Sequence, residues 1–306
     1  MALPLALHSA TGRPVPVEVP VRTECITLLH DPLTITITLL EPTTDMRDLF
    51  FIFLLAIPVV VSTVSAKRGI SVAVSPTNAL FFCDDWAVAK RTASWFYSWG
   101  LLPANVSCDG GPDLFPFEPM FWGSKSVHND SSLFISPLTT ALLGFNEPNG
   151  KDQSNLTPTE AAALWPIVSA AALTHNITTL VAPVPSGTDT IWLDSFFAAC
   201  NCEKDIRVIA LHPYDCNAAG LKASLDKWAK YNKPLWVSEF NCGDGAKNAT
   251  AAEHLAYMKI ALPILDADVR VERYAWMSAR DYKVPGAALF QGPGGTLTAL
   301  GQLYLQ

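Results

Sequence analysis

From residue 67 onward the chain alternates between two kinds of segment. Short runs rich in β-forming residues recur at 70–74, 95–99, 118–122, 141–145, 179–182, 207–212, 235–238 and 273–276, and longer helical patterns lie between them at 82–94, 158–174, 190–199, 219–231 and 251–265. Such alternation is the signature of βα units built on a parallel sheet, and eight strands is the number that closes a barrel. The expected fold class is therefore α/β, a (β/α)8 TIM barrel forming one catalytic domain over 67–306. No internal repeat or low-complexity linker divides it. Thr157, directly before Pro158, is the expected N-cap of the helix at 158–174.

Chemistry in such barrels sits at the C-terminal strand ends. Two expected strands finish in the same way there. Leu142-Leu143-Gly144-Phe145-Asn146-Glu147 and Pro234-Leu235-Trp236-Val237-Ser238-Glu239 each run from apolar residues into a single glutamate. A lone strand-end glutamate is usually a solvated or capping group. A pair, at the ends of the fourth and seventh strands, faces across the barrel mouth and supplies what glycosidic-bond hydrolysis requires: one carboxyl to protonate the leaving oxygen, one to attack or to activate water. For strands so placed the close, retaining spacing is expected, with Glu147 as acid/base and Glu239 as nucleophile. The acid must keep its proton near neutral pH, and Phe145 and Pro148 offer part of an apolar wall.

The neighbours fit a sugar site. Asn146 supplies an amide for a hydroxyl, and Trp236 an aromatic face near Glu239. His212-Pro213-Tyr214 ends the sixth strand, where the tyrosine is placed to bond the nucleophile and the histidine to orient it or bind sugar. Tyr274 and Trp276 share a face of the eighth strand, with Trp276 read as a stacking platform at the mouth. Trp95, Tyr97 and Trp99 share one side of the second strand, mostly barrel core; Trp99 and, after it, Tyr97 are near enough to the strand end to touch a ligand. Trp122 is a subsite wall. Asp84 and Asp85 open the first helix, where acids complement the helix dipole.

Composition narrows the alternatives. A formal charge of -7, a pI near 5.3 and the lack of a basic stripe exclude a nucleic-acid binder. The chain has no Gly-x-Ser-x-Gly elbow or P-loop, and Cys200-Asn201-Cys202 lacks a matching second pair, so no cofactor or metal is expected. Near the front, Met46-Arg47-Asp48 precedes an apolar run ending in Val64-Ser65-Ala66. This reads as a signal peptide over 46–66, too short for a permanent bilayer anchor. Residues 1–45, proline-rich and without helical period, read as a spurious leader upstream of a start at Met46; were Met1 the start, a signal anchor would be the alternative. Six cysteines follow the cut, an even set suited to an oxidising compartment, with fifteen pairings open. Sequons at Asn105, Asn129, Asn155, Asn176 and Asn248 suit a secreted glycoprotein. Without residues 1–66 the chain loses 3 basic and 6 acidic residues, leaving 18 against 22, a net of -4.

Several motifs, in order, carry a resemblance to a known family. They are Lys67-Arg68-Gly69, Trp95-Phe96-Tyr97-Ser98-Trp99, Gly144-Phe145-Asn146-Glu147-Pro148-Asn149, Gln153-Ser154-Asn155, Trp192-Leu193-Asp194-Ser195-Phe196-Phe197, His212-Pro213-Tyr214, Trp236-Val237-Ser238-Glu239-Phe240 and Leu297-Thr298-Ala299-Leu300-Gly301. Together they resemble glycoside hydrolase family 128, the alkali-sensitive-linkage-type catalytic core proteins. The resemblance implies a β-1,3-glucanase acting by retention, with Glu147 matching the acid/base and Glu239 the nucleophile. Asn149 departs from the acid usual after the proline, and the Asn155 sequon borders the expected cleft. The expectation is a secreted or cell-wall-associated monomer whose partner is β-1,3-glucan, with no nucleic acid and no permanent membrane partner. The alternatives are a glucan-binding wall protein that has lost turnover, and activity on β-1,4-linked glucan or mannan.

Overall fold

The computed structural model describes residues 66–73, 83–103, 116–243, 249–280, 284–292 and 294–305. The expected leader at 1–45, and all of the signal segment at 46–66 but its last residue, lie outside them. Among the described residues no helix is long and apolar enough to cross a membrane.

Among the described residues there are seven strands, all parallel to their neighbours. β1 (Arg68–Ser71), β2 (Trp95–Tyr97), β5 (Ile209–Leu211), β6 (Leu235–Phe240) and β7 (Val271–Trp276) form one sheet in the order β2-β1-β7-β6-β5. β3 (Ala141–Leu143) and β4 (Thr179–Val181) form a second. Single parallel bridges join the two: Phe96 to Phe117, Met120 to Leu143, and Val181 to Val208. The segment expected as a third strand at 118–122 thus keeps its place in the ring without becoming a ladder. Its prolines explain this. Pro116 and Pro119 have no N–H to donate, and only their carbonyls pair, accepting from Phe96 and Leu143 at 2.9 Å each. Counted with this segment, β3 is the fourth ring position and β6 the seventh.

The helices follow the expected pattern closely, and five of the seven described start at a side-chain cap. They are α1 (Cys83–Ala89), α2 (Ser124–Val127), α3 (Pro158–Thr174), α4 (Thr190–Cys200), α5 (Ala218–Trp228), α6 (Ala251–Ala267) and α7 (Ala299–Tyr304). Thr157 with Glu160, and Thr250 with Glu253, form capping boxes that satisfy otherwise orphaned N–H groups. The short α2 and α7 were not expected, since neither spans enough residues to show a helical period.

Period-two alternation divides the core into two layers. Trp95, Tyr97, Met120, Ala141, Leu143, Val181, Val208, Ala210, Trp236 and Ala275 fill the barrel interior, where indoles lie beside alanines. Their neighbours, among them Phe96, Leu142, Ile209, Val237, Tyr274 and Trp276, point outward under the helices. Burying each such large side chain contributes about 1.5–3 kcal/mol. Gly69 is required by this packing, because a Cβ there would meet the Trp95 indole at 2.2 Å. The buried Glu118 pairs with Arg273 at 2.6 Å, and the Arg273 guanidinium lies 4.5 Å over the Trp236 ring. Lys67 donates to the carbonyls of Leu265, Asp266 and Asp268 around the end of α6, so the start of the barrel is locked to its last full helix.

Candidate active site

Asn146 and Glu147 follow β3 where the chain leaves the ring. The Glu147 N–H donates to Val184 at 2.9 Å and its carbonyl accepts from Gly150 at 2.9 Å, fixing the turn. Glu147 has φ 41° and Trp99 has φ 54°. The other non-glycine residues with positive φ, among the described ones, are asparagines, which tolerate it. Backbone strain is therefore concentrated at two residues of one cleft, as is common at functional sites.

That cleft, of about 750 Å³, opens at the C-terminal strand ends and is lined by Trp99, Trp122, Asn146, Glu147, His212, Tyr214, Glu239 and Met277, among others. Glu147, His212 and Glu239 come together there, with one donor atom of each lying within 4.8 Å of the others. His212 is 1% exposed and bridges the two acids: Nδ1 lies 3.1 Å from Glu147 Oε1, and Nε2 lies 3.1 Å from Ser238 Oγ and 3.4 Å from Glu239 Oε1. Burial opposes a charged imidazole, but the charge of Glu239 and the hydrogen bond and charge of Glu147 outweigh it, and the His212 pKa is raised.

Glu239 is held by two donors. Trp99 Nε1 donates to Oε1 at 2.6 Å and the Tyr214 hydroxyl donates to Oε2, while the Tyr97 hydroxyl gives its proton to the Ser238 carbonyl at 2.9 Å and lies 3.5 Å from Oε1. Burial, with Glu239 second, pushes both tyrosine pKa values well up, so each stays a donor. Such a set fixes the carboxylate and aims it at whatever lies above it. Asn146 Nδ2 reaches Gln153 Oε1 at 3.4 Å, while its buried Oδ1 has no partner among the described residues and is available to a ligand hydroxyl. Among the described residues, Glu147, His212 and Glu239 are also the one group of His, Cys, Asp or Glu side chains placed to hold a metal ion. Both His212 nitrogens are already engaged by the acids and Ser238, which favours a hydrogen-bonded network over a ligand set.

Most of the expected site residues converge here: Glu147, Glu239, Asn146, His212, Tyr214, Trp99 and Trp122 all line the cleft. Trp276 does not. It is fully buried outside the ring, donating to the Ala287 carbonyl at 2.7 Å and packed edge-on against Phe240. The stacking role assigned to it is corrected by strand parity, because Trp276 shares the outward face with Tyr274 whereas Ala275 faces inward. Trp236 is likewise no sugar platform, being sealed in the barrel interior, and Phe145 turns outward onto Trp165 rather than walling Glu147. Ser238 and Met277 are the contributors that sequence reasoning passed over. Tyr97, placed second to Trp99 by the parity of 95, 97 and 99, reaches the site beneath Glu239, and no such signal existed for Met277. Asp85, read as a helix-dipole acid, instead pairs with Arg280 at 2.8 Å.

The Cys216–Cys242 disulfide ties the loop carrying Tyr214 to the residues after Glu239; outside the cleft lining Cys200 pairs with Cys202, and Cys83 is also disulfide-bonded. Asn149 joins the loop after Glu147 to the next one, donating to Ser186 O at 3.3 Å and to Asp189 at 3.2 Å, and accepting from Ser186 N at 2.7 Å.

The sequence family described as "glycosyl hydrolase catalytic core" matches residues 77–304. Alkali-sensitive linkage protein 1 of Schizosaccharomyces pombe is 29% identical over 257 residues, 80% of this chain but 45% of that protein, so the chain spans about half the length of this curated relative. An endo-β-1,3-glucanase of Sorangium cellulosum (GH128 subgroup II) is 32% identical, with a TM-score of 0.64, covering 78% of this chain and 97% of that one. An endo-β-1,3-glucanase of Amycolatopsis mediterranei (GH128 subgroup I), solved with laminaritriose, is 27% identical, with a TM-score of 0.61, covering 78% and 98%.

Proposed function

The chain belongs to the glycosyl hydrolase catalytic core family, and from that premise we propose that it is a secreted enzyme that hydrolyses β-1,3-glucan with retention, using Glu147 as acid/base and Glu239 as nucleophile. The observation that carries this reading is the meeting of the two carboxylates, with oxygens within 4.8 Å, across an open cleft. Retaining glycosidases hold their carboxyls about 5–5.5 Å apart, whereas inverting ones leave about 6.5–9.5 Å for a water. The linkage specificity rests on the glucanases named above.

In this mechanism Glu147 gives its proton to the glycosidic oxygen while Glu239 attacks the anomeric carbon, forming a glycosyl-enzyme. Water, deprotonated by Glu147, then releases the sugar. His212 links the two steps, because it contacts both acids and accommodates the change of charge as the proton leaves Glu147. Trp99 and Tyr214 keep Glu239 aimed. Asn146 Oδ1 accepts a hydroxyl of the sugar under attack, and Trp122 supplies an apolar flank. Secretion over the 46–66 signal is supported by the disulfides and by exposed sequons at Asn129, Asn155 and Asn176.

The test is incubation with laminarin while following the anomeric proton signals of the first products. Initial release of the β-anomer is expected. Release of the α-anomer would overturn retention, and laminarin binding without any release would leave a wall-binding protein as the correct reading.

A further inference from the structure

The Tyr214 hydroxyl has one proton and two neighbours. On one side it donates to Glu239 Oε2, and on the other Met277 Sδ lies at 2.8 Å. A thioether is a weak acceptor, so the carboxylate takes the proton. Met277 is the residue after β7 whose inward parity brings it to the cleft, where it is 8% exposed. Met120 and Met258, the other methionines among the described residues, are both 0% exposed. Among the described residues one methionine is therefore reachable by a small oxidant, and it is the one that touches the hydroxyl holding the nucleophile.

We propose that Met277 is an oxidative modification site through which a hydroperoxide attenuates the enzyme, by diverting the Tyr214 hydroxyl from Glu239. The inference rests on Glu239 being the nucleophile. In the step itself the Met277 sulfur attacks the terminal oxygen of the peroxide. The O–O bond breaks, an S–O bond forms, the sulfur is oxidised by two electrons, and the peroxide is reduced to water or an alcohol. The sulfoxide oxygen is a strong acceptor where the thioether was a weak one. It competes for the only proton on Tyr214, and Glu239 Oε2 loses its donor. Glu239 Oε1 keeps Trp99, so the carboxylate stays in the site but is no longer fixed at both oxygens.

The experiment treats the full protein with hydrogen peroxide, maps oxidised peptides by mass spectrometry, and measures kcat and KM on laminarin before and after. Wild type, Met277→Leu and Tyr214→Phe are compared. Activity of the untreated wild type tests the glucanase reading separately from the modification. The expected result is oxidation of the Met277 peptide ahead of Met120 and Met258, with a fall in wild-type kcat of about tenfold, the order expected for one hydrogen bond to a charged group. Met277→Leu should keep the same rate through treatment. Tyr214→Phe, with no proton to divert, should lose less than about twofold on oxidation. Full oxidation of Met277 with unchanged kcat, an unoxidised Met277, or equal fractional losses in wild type and Tyr214→Phe would each overturn the proposal, the last by showing that the sulfoxide merely obstructs the cleft.

Discussion

Replacing Trp99 by phenylalanine separates two roles that a tryptophan in a sugar cleft can have. Phenylalanine keeps an aromatic face at the same place on the rim but removes the indole N–H that donates to Glu239 Oε1 at 2.6 Å. The remaining contacts to that oxygen, Tyr97 Oη at 3.5 Å and His212 Nε2 at 3.4 Å, are too long to take over fully. A hydrogen bond to a charged group contributes about 1.5–3 kcal/mol. Trp99 is only half buried, so water replaces part of it, and about 1.5–2 kcal/mol should be lost. At about 1.4 kcal/mol per tenfold, kcat should fall about 10- to 30-fold. Because the face is retained, KM for laminari-oligosaccharides should stay within about threefold. The assay is steady-state hydrolysis of a defined laminari-oligosaccharide by Trp99→Phe and Trp99→Ala. A Trp99→Phe enzyme with unchanged kcat would refute the donor role, and if Trp99→Ala then raised KM alone, the indole would be a stacking surface only.

Glu147→Gln should cost about 10²- to 10⁴-fold on laminarin, yet far less on an aryl glucoside whose leaving group needs no proton, whereas Glu239→Gln should be inactive on both; equal losses on the two substrates would exchange or dissolve the assigned roles. Arg273→Met strands the buried Glu118, leaving it Thr140 and Ala141 as donors among the described residues. A loss of about 3–5 kcal/mol is expected, seen as a fall in Tm of roughly 10 °C by calorimetry, and a shift under about 2 °C would show that the pair is dispensable. His212 titrates higher in the folded protein than the ordinary value of about 6.5. Its stabilisation is therefore complete below that value and is lost as pH rises through the raised folded pKa. Tm measured against pH should decline on the alkaline side, and less steeply in His212→Asn; parallel profiles would remove His212 as the cause.

Much of the ring was legible in the residues. The alternation of β-rich runs with helical stretches specified the barrel class, and Thr157 before Pro158 marked the start of α3 to the residue. One strand was misread for a reason present in the sequence: Pro116 and Pro119 reduce 118–122 to single bridges. The site was legible where chain position alone determines it. Glu147 and Glu239 each end a strand of a parallel ring, and every such end opens on the same mouth.

What the sequence by itself determined is a closed α/β ring with two acids at its rim, since hydrophobic period and strand ends are local properties of the chain. Only the tertiary structure decided which aromatic side chains meet those acids. Trp276 and Met277 are adjacent, yet one is sealed beneath α6 beside His254 and the other touches Tyr214. Which face of a strand looks inward is set by its register against neighbouring strands, and that register is a property of the assembled ring rather than of any one segment.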